Sequence, residues 1–266
     1  MLDWPVIWTA LGLTLIAGLS TGIGAGLSLL ARRDDTRVLA GALGLSAGVM
    51  IYVSFMELMP EAVSQFGLTM THRQATWWML VAFFGGIGLM ALIDRLVPED
   101  ENPHEAHTLD ELDRPDSHHL KRTGLMLTLA IGIHNFPEGI ATFVSALEGL
   151  DVALPIVLAV AVHNIPEGVA VSVPVYHATG SRRKAFWLST LSGLAEVVGA
   201  LLAMLFLLPV WSPAVSGACL AAVSGIMIYI SFDELLPNAH RYGHHHLSLA
   251  GLIFGMALMA LTLLIL

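Results

Sequence analysis

Cysteine is nearly absent from this chain of 266 residues, with Cys219 the single one, set in an apolar stretch. No disulfide can form within the chain, and no thiolate-rich metal site can be assembled. Charge is scarce too: Asp, Glu, Lys and Arg make up 12% of the residues against 56% apolar ones, with a mean hydropathy of +0.74. A soluble domain carries about twice that charged fraction. The deficit runs along the whole chain, which argues for many spanning segments rather than one anchor. No Lys or Arg precedes Arg32, so the basic n-region of a cleavable signal is missing and the first apolar run is expected to stay as a membrane helix. The basic residues sit in short loops and form no patch for nucleic acid.

What the chain has in quantity is apolar length. Runs near 5–31, 37–66, 75–97, 123–147, 153–177, 184–209, 213–240 and 247–266 each reach the roughly 20 residues a bilayer core needs. The run 213–240 is the least regular, because it ends in Asp233, Glu234 and Pro237. Eight crossings put both termini on one side. Arg32, Arg33 and Arg37 lie in the first loop, Arg95, Arg114, Lys121 and Arg122 in the third, Arg182, Arg183 and Lys184 in the fifth, and Arg241 in the seventh. Only Arg73 lies in an even-numbered loop. The positive-inside rule then places the odd loops in the cytoplasm and both termini outside. The one long connection, 98–122, is acidic, holds three Pro, and carries His104, His107, His118 and His119. It reads as a flexible cytoplasmic loop within a single polytopic domain, 1–266. Weak metal binding and a plain solvated linker are both open for it.

Two internal repeats organise the rest. SAGVMIYVSFMELMPEA (46–62) matches VSGIMIYISFDELLPNA (223–239) at an offset of 177 residues. The orientation above runs the second crossing outward and the seventh inward, so one pattern spans in opposite senses, as in an inverted-topology repeat. IHNFPEGIA (133–141) matches VHNIPEGVA (162–170) on the fourth and fifth crossings, which are also antiparallel. The expected fold is an all-α membrane protein of eight transmembrane helices, arranged as three, a central pair, and three inverted.

The central pair carries the chemistry. His134 and Glu138 are i and i+4 on one helical face, and Asn135 lies beside them; His163, Asn164 and Glu167 repeat the pattern. Imidazole, carboxylate and amide oxygen together suit Zn²⁺, Fe²⁺, Mn²⁺, Co²⁺ or Cd²⁺, not Cu⁺ or an iron–sulfur cluster. Pro137 and Pro166 each remove an N–H and crowd the carbonyl four residues back, at Ile133 and Val162, so kinks with freed carbonyls are expected. Glu138, Glu167 and Glu196 of the sixth crossing would together cost roughly 8–10 kcal/mol at mid-membrane if unpaired. No Lys or Arg lies at that depth, so a divalent cation or bound protons must neutralise them. Structural hydrogen bonding is the bland reading for each; it is hard to sustain for a motif present twice. Glu57 of the second crossing is a further candidate ligand or an entrance carboxylate, and its repeat partner Glu234 stands beside Asp233. His177, His240, His244, His245 and His246 lie near cytoplasmic ends, where they either pass metal on or decorate the interface.

These residues resemble the ZIP (Zrt- and Irt-like) family of metal transporters over the whole chain, and the short loops with SFMELMP look most like its bacterial ZupT branch. The resemblance implies a binuclear site. His134, Glu138 and Glu167, with Glu57, would hold one ion; Asn135, Glu138, Asn164, Glu167 and Glu196 would hold the second. It also implies uptake into the cytoplasm across a bacterial inner membrane by an elevator-like motion. Metal ions are then substrate and no prosthetic group is expected. The partners are metal and lipid, with a homodimer left open as an assembly. The competing class is an intramembrane metal hydrolase, with a carboxylate as general base. It lacks an HExxH motif, and a duplicated site suits passage better than an asymmetric reaction. A passive channel or a metal sensor is the third class.

Overall fold

The computed structural model describes residues 4–28, 36–96, 132, 135–241 and 243–265, and all regular structure among them is helical. Helix α1 covers Trp4–Ser28 and α2 covers Thr36–Val53. A π-helical turn, Ser54–Leu58, leads into α3, Met59–Gly67. Helix α4 is His72–Leu96, and α5 is 135–148. Helix α6 runs Leu150–Thr179, unbroken through Pro155, Pro166 and Pro174. Helices α7, Arg182–Gly193, and α8, Ala195–Leu207, follow in line. Helix α9, Pro213–Ile230, passes through a second π turn, Ser231–Leu235, into α10, Leu236–Arg241. Helix α11, His245–Ile265, completes the set.

Seven stretches among the described residues are long and apolar enough to cross a membrane: Trp4–Leu27, Thr36–Gly67, His72–Arg95, Leu150–Val173, Arg182–Val210, Pro213–His240 and His245–Ile265. They coincide with seven of the eight apolar runs. The described part of the remaining run, 123–147, is essentially α5. The loop 98–122 and its histidines, Ile133 and His134 lie outside the described residues, as does the side chain of His177.

Three of the apolar runs change character inside, each for a local reason. In 184–209, α7 yields to α8 at Leu194, just after Gly193, whose bare backbone abuts that of Gly18 on α1. In 37–66 and 213–240 the change falls on the repeated S-F-x-E-L. Pro60 and Pro237 lack the next N–H and crowd the carbonyl four residues back. The preceding turn widens instead: the Met59 N–H reaches the Ser54 carbonyl and the Leu236 N–H the Ser231 carbonyl, each five residues back. The Ser224 hydroxyl on α9 also donates to the Ser54 carbonyl, at 3.1 Å.

Polarity is arranged inside out. Trp4, Trp8, Trp77, Trp78, Phe84, Phe206 and Leu264 are exposed, while Thr14, Thr21, Asn135, His163, Asn164 and Glu196 are wholly buried. Water would punish that arrangement and a bilayer rewards it. Those four exposed tryptophans, Trp4, Trp8, Trp77 and Trp78, stand near helix starts, where indole rings favour the membrane–water boundary. Lipid supplies little hydrophobic drive between helices, so contact comes from close approach. A Cβ added at Gly44 or Gly48 of α2 would strike the α11 backbone at Ser248 or Leu252, and one at Gly86 of α4 the α9 backbone at Ala222. The chain is an integral membrane protein.

Candidate metal centre

Helices α5 and α6 form a tight hairpin through Gly149, whose φ of 142° suits glycine. The hairpin sets Asn135–Gly139 of the first motif beside the second, His163–Gly168. Neighbouring helices close on them through glycine. A Cβ at Gly139 of α5 would overlap the Glu196 backbone on α8, and one at Gly168 of α6 the Thr21 backbone on α1. Backbone contact of this kind carries Glu196 into the centre.

Glu138, His163 and Glu167 are all buried, and one ligand atom from each lies within 4.8 Å of the others. His163 Nε2 stands 3.0 Å from Glu138 Oε2 and 4.0 Å from Glu167 Oε2. His163 Nδ1 is 3.2 Å from the Ala159 carbonyl oxygen. A carbonyl only accepts, so Nδ1 carries the hydrogen and donates it there. Nε2 is thereby turned to the carboxylates, with Glu138 Oε2 as its near partner. Two lone pairs do not rest 3.0 Å apart unless a proton or a cation lies between them. Imidazole Nδ1–H held by a backbone carbonyl, with Nε2 turned to the metal, is the usual way a protein fixes a histidine ligand. Ligand atoms around a tetrahedral Zn²⁺ sit about 3.3 Å apart, so the 3.0 Å and 4.0 Å separations of His163 from Glu138 and Glu167 bracket what an ion would need.

A second group adjoins the first. Asn164 Nδ2 donates to the Ala17 carbonyl on α1 at 2.9 Å, and also to Glu196 Oε1. Those two bonds orient the amide and leave Asn164 Oδ1 and Glu196 Oε2 buried without a hydrogen-bond partner among the described residues. Glu196 is near enough to Glu138 and Glu167 for their charges to act on it. The Asn135 amide lies beside the Glu167 carboxylate, though no hydrogen bond of ordinary geometry joins them. Five of the sequence candidates, Asn135, Glu138, His163, Asn164 and Glu167, are thus brought together, and Glu196 joins them from α8.

Glu57 is not brought to this group. It is half-buried in the first π turn, and its carboxylate neighbour is Glu61. Its repeat counterpart Glu234, buried in the second π turn, is near enough to Glu167 for their charges to interact. The sequence marks these two positions as equivalent, apart from Asp233 beside Glu234 where Met56 stands beside Glu57.

The family described as ZIP Zinc transporter matches residues 95–263. A protein named Zinc transporter ZupT in Streptococcus mutans is 53% identical over 259 residues, covering 97% of this chain and 98% of its own length. One of the same name in Chlorobium phaeovibrioides is 55% identical over 262 residues, 98% of each chain. Another, in Nitratidesulfovibrio vulgaris, is 52% identical over 275 residues, 100% of this chain and 99% of its own. The chain belongs to the ZIP family, whose members are transporters and not enzymes.

Proposed function

We propose that this chain carries divalent transition-metal ions across the bilayer into the cytoplasm, through the buried cluster on α5, α6 and α8. The observation that carries the reading is the buried convergence of His163 Nε2 with Glu138 and Glu167, one ligand atom from each within 4.8 Å of the others. Three buried carboxylates beside an imidazole are neutralised by bound protons or by a cation, and a divalent ion exchanging with those protons suits a transport site. The printed name of the relatives favours zinc among Zn²⁺, Fe²⁺, Mn²⁺, Co²⁺ and Cd²⁺.

Two ions are held in this reading. Glu138 and Glu167 bridge them, with His163 and His134 at the first and Asn135, Asn164 and Glu196 at the second. The unpartnered Asn164 Oδ1 and Glu196 Oε2 support the second position. Glu57 is an entrance carboxylate in this scheme, and Glu234 takes the place nearer the ions.

The helices divide as three, a central pair and three inverted. Packing supports that division. Gly48 of α2 abuts Leu252 of α11, and Gly225, at the matching repeat position of α9, abuts Phe83 of α4. Gly139 of one HNxPEG abuts α8, and Gly168 of the other abuts α1. Each contact has a counterpart under the same exchange of halves, the arrangement alternating access uses. With basic loops inside, both termini lie outside a bacterial plasma membrane.

Uptake into sealed proteoliposomes tests the function. Saturable accumulation of Zn²⁺ inside vesicles bearing the pure chain is expected. Metal bound by the chain with none accumulated would return the site to a hydrolase or a sensor.

A further inference from the structure

A second cluster of oxygen ligands lies at the far end of α5. Glu148 ends that helix, directly before Gly149 and its turn. Ten residues separate it from Glu138, about 15 Å along a helix axis, or half a bilayer core. Gly217 lets α9 close on Ala62 and Phe66 of α3, which brings Ser216 toward Gln65. Glu148 lies against Ser216, Gln65 and Glu61. Gln65 Nε2 donates to Glu61 Oε1 at 2.7 Å. That bond fixes which end of the amide points where.

The atoms left over point to a ligand. Gln65 is 7% exposed and Ser216 not at all. Gln65 Oε1, Glu148 Oε1 and Ser216 Oγ are buried, and none has a hydrogen bond of ordinary geometry among the described residues. A buried polar atom left without a partner is costly, and the Gln65 carbonyl and the Ser216 hydroxyl lie here beside the Glu148 carboxylate, with that of Glu61 close by. No Lys, Arg or His among the described residues acts on the Glu148 charge. A cation between Glu148 and Glu61 offsets both charges and satisfies the stranded oxygens together.

We propose that Glu61, Gln65, Glu148 and Ser216 form a separate divalent-cation site built only of oxygen, about 15 Å from the central cluster. Carboxylate, amide carbonyl and hydroxyl donors without imidazole or thiolate suit hard ions such as Mn²⁺, Mg²⁺ and Ca²⁺. The two sites therefore differ in taste, since the central one offers imidazole nitrogen. Glu57, beside Glu61 and one turn nearer mid-membrane, is the next carboxylate along the same helix. In the orientation given above the site opens outward. The claim concerns binding, so it stands or falls separately from passage through the centre.

Mn²⁺ binding to the full chain in detergent, read by electron paramagnetic resonance, is the test. The starting protein carries Glu138→Ala and Glu167→Ala to silence the central cluster. It is expected to keep one equivalent of Mn²⁺, with affinity falling at least tenfold on adding Glu148→Gln or Glu61→Gln. Where that protein aggregates, the wild-type chain is titrated with and without Glu148→Gln, and one class of Mn²⁺ is expected to weaken tenfold. Loss of all Mn²⁺ with the centre silenced, or Mn²⁺ indifferent to both glutamine substitutions, overturns the site.

Discussion

At the scale of single residues, His163 and Glu196 show how much chemistry depends on a hydrogen bond elsewhere. The Ala159 carbonyl decides which nitrogen of His163 is turned to the carboxylates, and Asn164 decides which oxygen of Glu196 is left for a cation. Glu196→Gln keeps the volume and removes the charge. The variant is expected to insert normally and to lose metal affinity about tenfold or more, the usual cost of disturbing groups around a metal. Affinity and melting temperature measured together check this, and unchanged affinity for every metal would make Glu196 structural. Proton competition has a definite sign. Ligands must be deprotonated to bind metal, so the half-saturating concentration rises as pH falls, roughly tenfold or more between about pH 7.5 and 5.5. Metal titrations at the two pH values measure it. The identity of these residues was legible from i, i+4 spacing. The asymmetry of Glu57 and Glu234 was not, because it depends on contacts between elements distant in the chain.

At the scale of elements, glycine sets the positions of the ligand helices. An alanine in place of an exposed helical glycine stabilises by roughly 0.5–1 kcal/mol. At Gly139 the added Cβ would instead overlap the Glu196 backbone. Gly139→Ala is therefore expected to destabilise by about 1–3 kcal/mol and to weaken metal binding, by pushing α8 away from α5. Gly12→Ala, where no atom stands within 4 Å of the new Cβ, serves as the control and should be neutral or slightly stabilising. Thermal unfolding in detergent compares the two. Seven crossings were readable from apolar length, and their ends fell within a few residues of the apolar runs. The interruptions inside them were harder to see. The π turns need Pro60 and Pro237 read against the turn before them, and the α7–α8 break needs the packing of Gly193 on Gly18.

At the scale of the whole molecule, the account places a polar, metal-binding interior inside an apolar coat and orients it by charge. A cysteine introduced by Ser117→Cys in a Cys219→Ser background is expected to resist an impermeant thiol reagent in intact cells. Thr71→Cys, exposed between α3 and α4, should label freely. Reversed labelling would invert the orientation. Membrane class and the central motif were both plain in the chain, because composition and a twice-written hexapeptide do not depend on tertiary contacts. The partnership of α5 with α8 and of α6 with α1 was not plain, since small residues that permit close approach do not name their partner. The central claim is that Glu138 and Glu167 hold the ion that passes. The most direct test measures Zn²⁺ binding and Zn²⁺ uptake on the same proteoliposomes for wild type, Glu138→Ala and Glu167→Ala. Both variants are predicted to insert at wild-type levels, since Ala is cheaper in lipid than Glu, and to lose binding and uptake together. Wild-type uptake of Zn²⁺, Fe²⁺, Mn²⁺, Co²⁺ and Cd²⁺ by both alanine variants would contradict the account.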